Sequence, residues 1–182
     1  MQKKITKKDS KKGFTLVETL VAISILMLAI TGPLYFASES IKAATYARDQ
    51  ITAFYLAQDA FEQIRAIRDN NLLGNTPWLT NISEPCGTAC KVDPFGGSLE
   101  LKPTACDVGG CGPIKLGSNG EYGYYSSWIP TAFTRTITVI QTGGDTDEAK
   151  VTVTLNWKSG SVPRNVTFYE YIRNLNPSST QP

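Results

Sequence analysis

Gly13-Phe14-Thr15-Leu16-Val17-Glu18 opens an apolar stretch that runs to about Ala37, interrupted only by small polar residues and by Glu18 itself. Residues 14–37 number 24, and at about 1.5 Å of helical rise each they can cross a ~30 Å hydrocarbon core. Lys3, Lys4, Lys7, Lys8, Lys11 and Lys12 precede them, a basic head that keeps the N-terminus cytoplasmic under the positive-inside rule. The stretch therefore reads as a helix inserted head-in, with the rest of the chain exported. A carboxylate at the centre of such a helix costs roughly 2.5–3.5 kcal/mol, so an ionisable residue in a span marks a function. Glu18 requires a compensating partner.

A cleaved secretory signal shares the basic head and the apolar run but ends in a small-x-small site after an apolar core of about 7–15 residues. Here the run is longer, Ala29-Ile30-Thr31 and Ala37-Ser38-Glu39 are poor cleavage sites, and Glu18 would have no explanation.

In Lys12-Gly13-Phe14-Thr15-Leu16-Val17-Glu18 the chain resembles the type IV pilin and type II secretion pseudopilin family. The resemblance implies that a membrane prepilin peptidase cuts after Gly13 and methylates the new N-terminus, Phe14. It further implies that Glu18 pairs with the N-terminal amine of a neighbouring subunit during assembly. Two opposite charges in a low-dielectric setting attract strongly, whereas either alone is costly. Residues 55–65, Tyr-Leu-Ala-Gln-Asp-Ala-Phe-Glu-Gln-Ile-Arg, followed by a mostly β C-terminal half, resemble V-type minor pilins and I-type minor pseudopilins.

The formal net charge of +2 conceals an acidic mature chain. Removing residues 1–13 deletes six lysines and one aspartate, leaving 12 basic against 15 acidic side chains, a net −3 before the new terminus is counted. Non-specific nucleic-acid binding rests on clustered Lys and Arg, so no direct nucleic-acid partner is expected. The chain has no histidine, which removes His-based triads and imidazole ligands. Nucleophile elbows, phosphate loops and metalloprotease motifs are likewise missing from the sequence; it reads as non-enzymatic, without a cofactor.

Along the chain, Ala47, Ile51, Phe54, Ala57, Phe61, Ile64 and Ile67 recur at spacings of three and four, which predicts one helix continuing to about Arg68 with this face buried. Arg48, Asp49, Gln58, Asp59, Glu62, Arg65 and Arg68 fall between them and read as a solvated face. Asp69-Asn70-Asn71 and Gly74 supply a stop. Gly32-Pro33 predicts a kink or local melting; in the family that the chain resembles, a proline near this depth lies where the helix unwinds on polymerisation. After residue 130 the period becomes two: Ala149, Val151, Val153, Leu155 and Trp157 alternate with polar residues, describing a half-buried strand. Flanking strands are expected over 133–141 and 164–172, with turns at Gly143-Gly144-Asp145 and Ser159-Gly160.

Cys86, Cys90, Cys106 and Cys111 lie in the Gly- and Pro-rich stretch between helix and sheet. An exported position favours disulfides, in one of three connectivities. Spacings of C-x3-C and C-x4-C also approach those of a zinc site with four thiolates. Asp145, Asp147 and Glu148 crowd a glycine turn, a candidate calcium loop or a solvated hairpin. Tyr122, Tyr124, Tyr125 and Trp128 form an aromatic cluster that reads as core ahead of binding platform.

The expected fold is α+β, pilin-like: a long N-terminal helix, membrane-spanning in its first half, packed on a C-terminal antiparallel β-sheet. Its expected segments are a leader over 1–13, a transmembrane and polymerisation helix over 14–37, an amphipathic helix over 38–70, a disulfide-containing loop region over 71–130, the sheet over 131–173 and a loose tail over 174–182. The resemblance implies a minor pilin or pseudopilin that primes or caps a filament, with other pilin subunits, the prepilin peptidase and the inner-membrane assembly platform as partners. It would lie in the cytoplasmic membrane before assembly and in a pilus or pseudopilus at the cell surface afterwards. A tip adhesin that binds a ligand through its loop region is the alternative function.

Overall fold

The computed structural model describes residues 13–94, 101–143 and 146–175. Contacts divide the chain into two units, Met1–Thr45 and Tyr46–Pro182.

Helix α1, Leu16–Leu73, passes through both. Thr15 caps it: the Glu18 amide donates to Thr15 Oγ1 at 3.3 Å, satisfying one of the orphan N–H groups of a first turn. In the first unit the apolar residues are exposed, and an 18-residue window there has a mean hydropathy of 2.1 with none of it buried. The helix is long and apolar enough to cross a membrane. Its small polar residues are self-satisfied: the Thr19, Ser24 and Thr31 hydroxyls donate to the carbonyls of Leu16, Leu20 and Met27 at 2.8, 2.9 and 3.0 Å. Such back-bonding lets hydroxyls sit where no water can reach them. Helical structure continues through Gly32 and Pro33, so the local melting that proline suggested is not seen. One proline deletes only a single backbone donor.

In the second unit the end of α1 lies on the sheet. Ala53, Leu56, Ala57, Ala60, Phe61, Ile64 and Ile67 are buried. The predicted stripe is correct from Ala57 onward and displaced before it: Ile51 is 57% exposed and Phe54 44%. Ala53 and Ala60 are wholly buried in this face, and Phe54 is left at the margin, edge-to-face with Phe168 at 5.7 Å between centroids. The helix also outruns its expected end by five residues, to Leu73. The Asn71 side chain does not break it; Nδ2 donates to the carbonyls of Trp78 and Thr80 at 3.1 and 2.8 Å and holds the following turn. Asn75, at φ 52°, takes the left-handed position that asparagine tolerates better than most residues.

Three long antiparallel strands dominate the sheet: β5 (Ile129–Gln141), β6 (Glu148–Ser159) and β7 (Val162–Arg173). Their register sets Ile137 against Val153 and Val139 against Val151. Every inward residue predicted for β6, Ala149 to Trp157, is buried. The β6–β7 turn uses Gly160 at φ 64°, a conformation glycine adopts at no steric cost. Gly144 and Asp145 of the β5–β6 turn lie outside the described residues. Among its described residues the stretch read as a loop holds helix α2 (Ser83–Cys86) and four short strands: β1 (Cys90–Val92), β2 (Pro103–Ala105), β3 (Pro113–Leu116) and β4 (Tyr122–Gly123). They extend the sheet in the order β2-β1-β5-β3-β4, with β6 and β7 continuing from β5. Elements of two to four residues are too short to express a period, which is why the sequence concealed them.

Candidate functional site

At the start of α1, Phe14 is 80% exposed. A Cβ built on Gly13 would meet nothing within 4 Å, so packing among the described residues gives no reason for a glycine there. A backbone stripped of its side chain is suited to close approach by another protein. Glu18 completes a Thr-x-x-Glu sequence at the first turn, where the positive end of the helix dipole favours a carboxylate. Its side chain is exposed, and among the described residues no cation lies within ion-pair reach. The compensation that the sequence demanded is thus not supplied by the described part of the chain.

The head contains a second polar site that sequence reasoning missed. Arg135, on the inner face of β5, is 1% exposed. Its guanidinium donates to Asp59 Oδ2 at 2.7 Å, to the Leu56 carbonyl at 2.9 Å, and to Gln63 Oε1 and the Val92 carbonyl at 3.3 Å each. Gln63 Nε2 in turn donates to Asp59 Oδ2 at 2.7 Å. One arginine therefore ties α1, β1 and β5 together, although its Nε finds no partner among the described residues. Asp59 was expected on a solvated face. Arg65 likewise reaches across to Glu170. The signal that could have exposed this hub is an arginine at an inward position of a strand whose other inward residues, Phe133, Ile137 and Val139, are apolar.

Tyr124 packs partly buried beside this hub, and its hydroxyl donates to the Arg135 carbonyl at 3.5 Å. Burial pushes its pKa above the ordinary 10.0, with the Arg135 charge opposing. Tyr122 also packs against the core. Tyr125 and Trp128 instead form a tilted pair at 6.1 Å, and Trp128 covers Gly117, where an added Cβ would fall 2.8 Å from the ring. The aromatic run thus divides between core and surface.

All four cysteines are joined, Cys86 to Cys90 and Cys106 to Cys111, with Cα separations of 4.7 and 4.5 Å. No thiolate is left for zinc. These are the two local pairs; the tie between residues 90–92 and 103–105 is made by the β1–β2 ladder instead. Near the turn at 145, Asp147 Oδ1 accepts from Asn174 Nδ2 at 2.9 Å, and Glu148 pairs with Arg173 at 2.7 Å. Asp145, the first of the candidate calcium ligands, lies outside the described residues. No group of three or more metal-ligating side chains occurs among the described residues.

Residues 8–32 match the family model for the prokaryotic N-terminal methylation motif. The chain carries the signature of type IV pilins and pseudopilins. That motif implies processing by a prepilin peptidase and assembly with other pilin subunits. A membrane-anchored pilin that enters surface filaments fits both the motif and the exposed apolar helix. Proteins of this kind are generally structural. Comparison with curated proteins and with solved structures gave no match.

Proposed function

We propose that this chain is a minor pilin or pseudopilin that is cut after Gly13, anchored through residues 14–37, and assembled with Glu18 paired to the N-terminal amine of a neighbouring subunit. The observation that carries the reading is Glu18: an exposed carboxylate in the first turn of an apolar helix, with no cation in reach among the described residues. Taking an unpaired carboxylate into a bilayer or a filament core is costly unless a cation meets it there. The new amine at Phe14 supplies one. The head, with its sheet and two disulfides, serves assembly and mechanics rather than catalysis, and priming or capping is its preferred place in the filament. The inner-membrane assembly platform is the partner before polymerisation.

The test is to express the precursor with its prepilin peptidase and determine the mature N-terminus by intact mass and fragmentation. A chain beginning at N-methylated Phe14 is expected. Glu18→Ala should still be processed but fail to enter filaments. An uncut chain, or one cut beyond the apolar stretch, overturns the reading.

One observation favours the tip-adhesin alternative. The Cys106–Cys111 bridge closes a turn at Asp107 and Gly110 on which Val108 is wholly exposed, a preformed contact that would bind with little ordering cost. Val108→Asp should abolish adhesion with filaments intact if this turn binds a surface. Removing all of 72–130 would be uninformative, because Ile82, Cys86, Val92 and Ile114 are core residues.

A further inference from the structure

One face of α1 within the head lines a cavity of about 430 Å³. Thr52, Tyr55, Leu56 and Asp59 supply one wall at i, i+3, i+4 and i+7, and Pro94, Glu121 and Tyr122 complete the lining. The size is that of a ligand pocket. Its chemistry is one-sided: among the described residues the lining holds two carboxylates and two phenol rings and no basic side chain. Asp59 gives Oδ2 to Arg135 and Gln63, which leaves Oδ1 without a partner among the described residues. Glu121 has no cation in reach among the described residues. Tyr55 is 63% exposed, so the wall is open to an approaching side chain.

We infer that this cavity receives a lysine or arginine side chain presented by the adjacent pilin-type subunit. The inference rests on the filament reading above and names a contact within it. Charge complementarity selects the occupant. An ammonium or guanidinium seated between Glu121 and Asp59 forms charge-assisted hydrogen bonds, and the faces of Tyr55 and Tyr122 attract the same cation through their ring quadrupoles. A small anion would meet two carboxylates, and a purely apolar group would leave Glu121 and the Oδ1 of Asp59 unmet. The wall belongs to the same helix that carries the assembly residues, so subunits that bundle through α1 bring a neighbour's side chains to this face.

The experiment places a photo-crosslinker in the full-length chain as Tyr55→p-azidophenylalanine, in cells that build the filament, with a second probe at Ile30 in the apolar segment as control. The expected result is capture at position 55 of a peptide from a pilin-type subunit that carries Lys or Arg at the contact. With Glu121→Lys the yield should fall about tenfold, equivalent to about 1.4 kcal/mol of lost pairing, and the milder Glu121→Gln should lower it in the same direction. Processing at Gly13 and thermal unfolding of these variants should match the parent, since the Glu121 side chain is exposed. If the probe at 30 captures a pilin-type subunit while position 55 captures none, an acidic or apolar peptide, or its own chain, the inference fails and the filament reading stands. An equal yield with Glu121→Lys also overturns it. If neither probe captures a pilin-type subunit, both readings fall together.

Discussion

Replacing Asp59 by alanine should harm the head more than replacing Arg135 by methionine, although the arginine makes more bonds. Asp59→Ala leaves a guanidinium that is 1% exposed, and removing one partner of a buried pair typically costs about 3–5 kcal/mol. Here Arg135 would keep the Leu56 and Val92 carbonyls and Gln63, and the Asp59 side chain is 44% exposed, so solvent already screens the pair. The loss therefore belongs at the lower end, about 3 kcal/mol. Arg135→Met removes the charge itself. Methionine fills much of the volume, the Leu56 carbonyl belongs to the helix ladder, Asp59 rehydrates from its exposed side, and the unpartnered Nε disappears. About 1 kcal/mol should be lost, chiefly from Val92 and Gln63. For a head of this size each kcal/mol moves Tm by about 3–5 °C, so the two variants should melt about 10 °C and 4 °C below the parent. Near-UV circular dichroism of the processed, oxidised protein measures this, and the double variant should melt close to Arg135→Met alone. If Arg135→Met is as damaging as Asp59→Ala, the hub works through its hydrogen bonds and not through charge compensation, and the reasoning fails.

The two disulfides should differ in reducibility. Cys86 and Cys90 are fully buried whereas Cys106 is partly exposed, so mild dithiothreitol should open Cys106–Cys111 first, read by differential alkylation and mass spectrometry; each short loop is worth about 2 kcal/mol in the chain-entropy model. Gly117→Ala should cost about 1–3 kcal/mol in chemical denaturation, because its Cβ would press into the Trp128 ring from 2.8 Å; an unchanged midpoint would mean that the indole moves freely. Burial raises the pKa of Tyr124, so the unfolded chain releases this proton first. Its contribution to stability is therefore full below pH 10.0, lost as pH rises through the folded value, and absent from Tyr124→Phe; equal alkaline slopes for parent and variant would contradict the assignment.

What the sequence disclosed follows from where one environment acts on a long run of residues. The apolar stretch at 14–37 has the composition of a single solvent, and β6 alternates because it has one wet face and one dry face over twelve residues. Both patterns are periodic and uninterrupted, so both were legible. The helical stripe was legible only where large residues mark it. Before Ala57, Ile51 and Phe54 fit the spacing equally well, and the buried positions are instead Ala53 and Leu56. A buried alanine carries little hydrophobic signal, so bulk outweighed geometry in the reading. In β1 to β4, two to four residues each, position in the sheet is fixed by ladder pairing, with Cys90 set against Ile137 and Pro113 against Thr134, and runs this short carry no pattern that records it.

Arg135 is the sharper case, because its role contradicts its residue type. In Phe133-Thr134-Arg135-Thr136-Ile137 the arginine shares the period-two face of Phe133 and Ile137, an apolar face on which its residue type is not expected, and its pairing with the buried Leu155 places it inward. The burial is tolerable only because α1 arrives with a carboxylate, an amide and a backbone carbonyl on one face, at Asp59, Gln63 and Leu56. Apolar burial holds the helix to the sheet without selecting a register, since it is non-directional. Four hydrogen bonds to one guanidinium select a single rotation and a single height of the helix on the strand. Sliding α1 by one turn would move Asp59 about 5.4 Å along the axis and strand a buried charge. The same feature that hid the site from the sequence, its dependence on partners 43 to 79 residues away, makes it the element of the head that fixes where the helix sits.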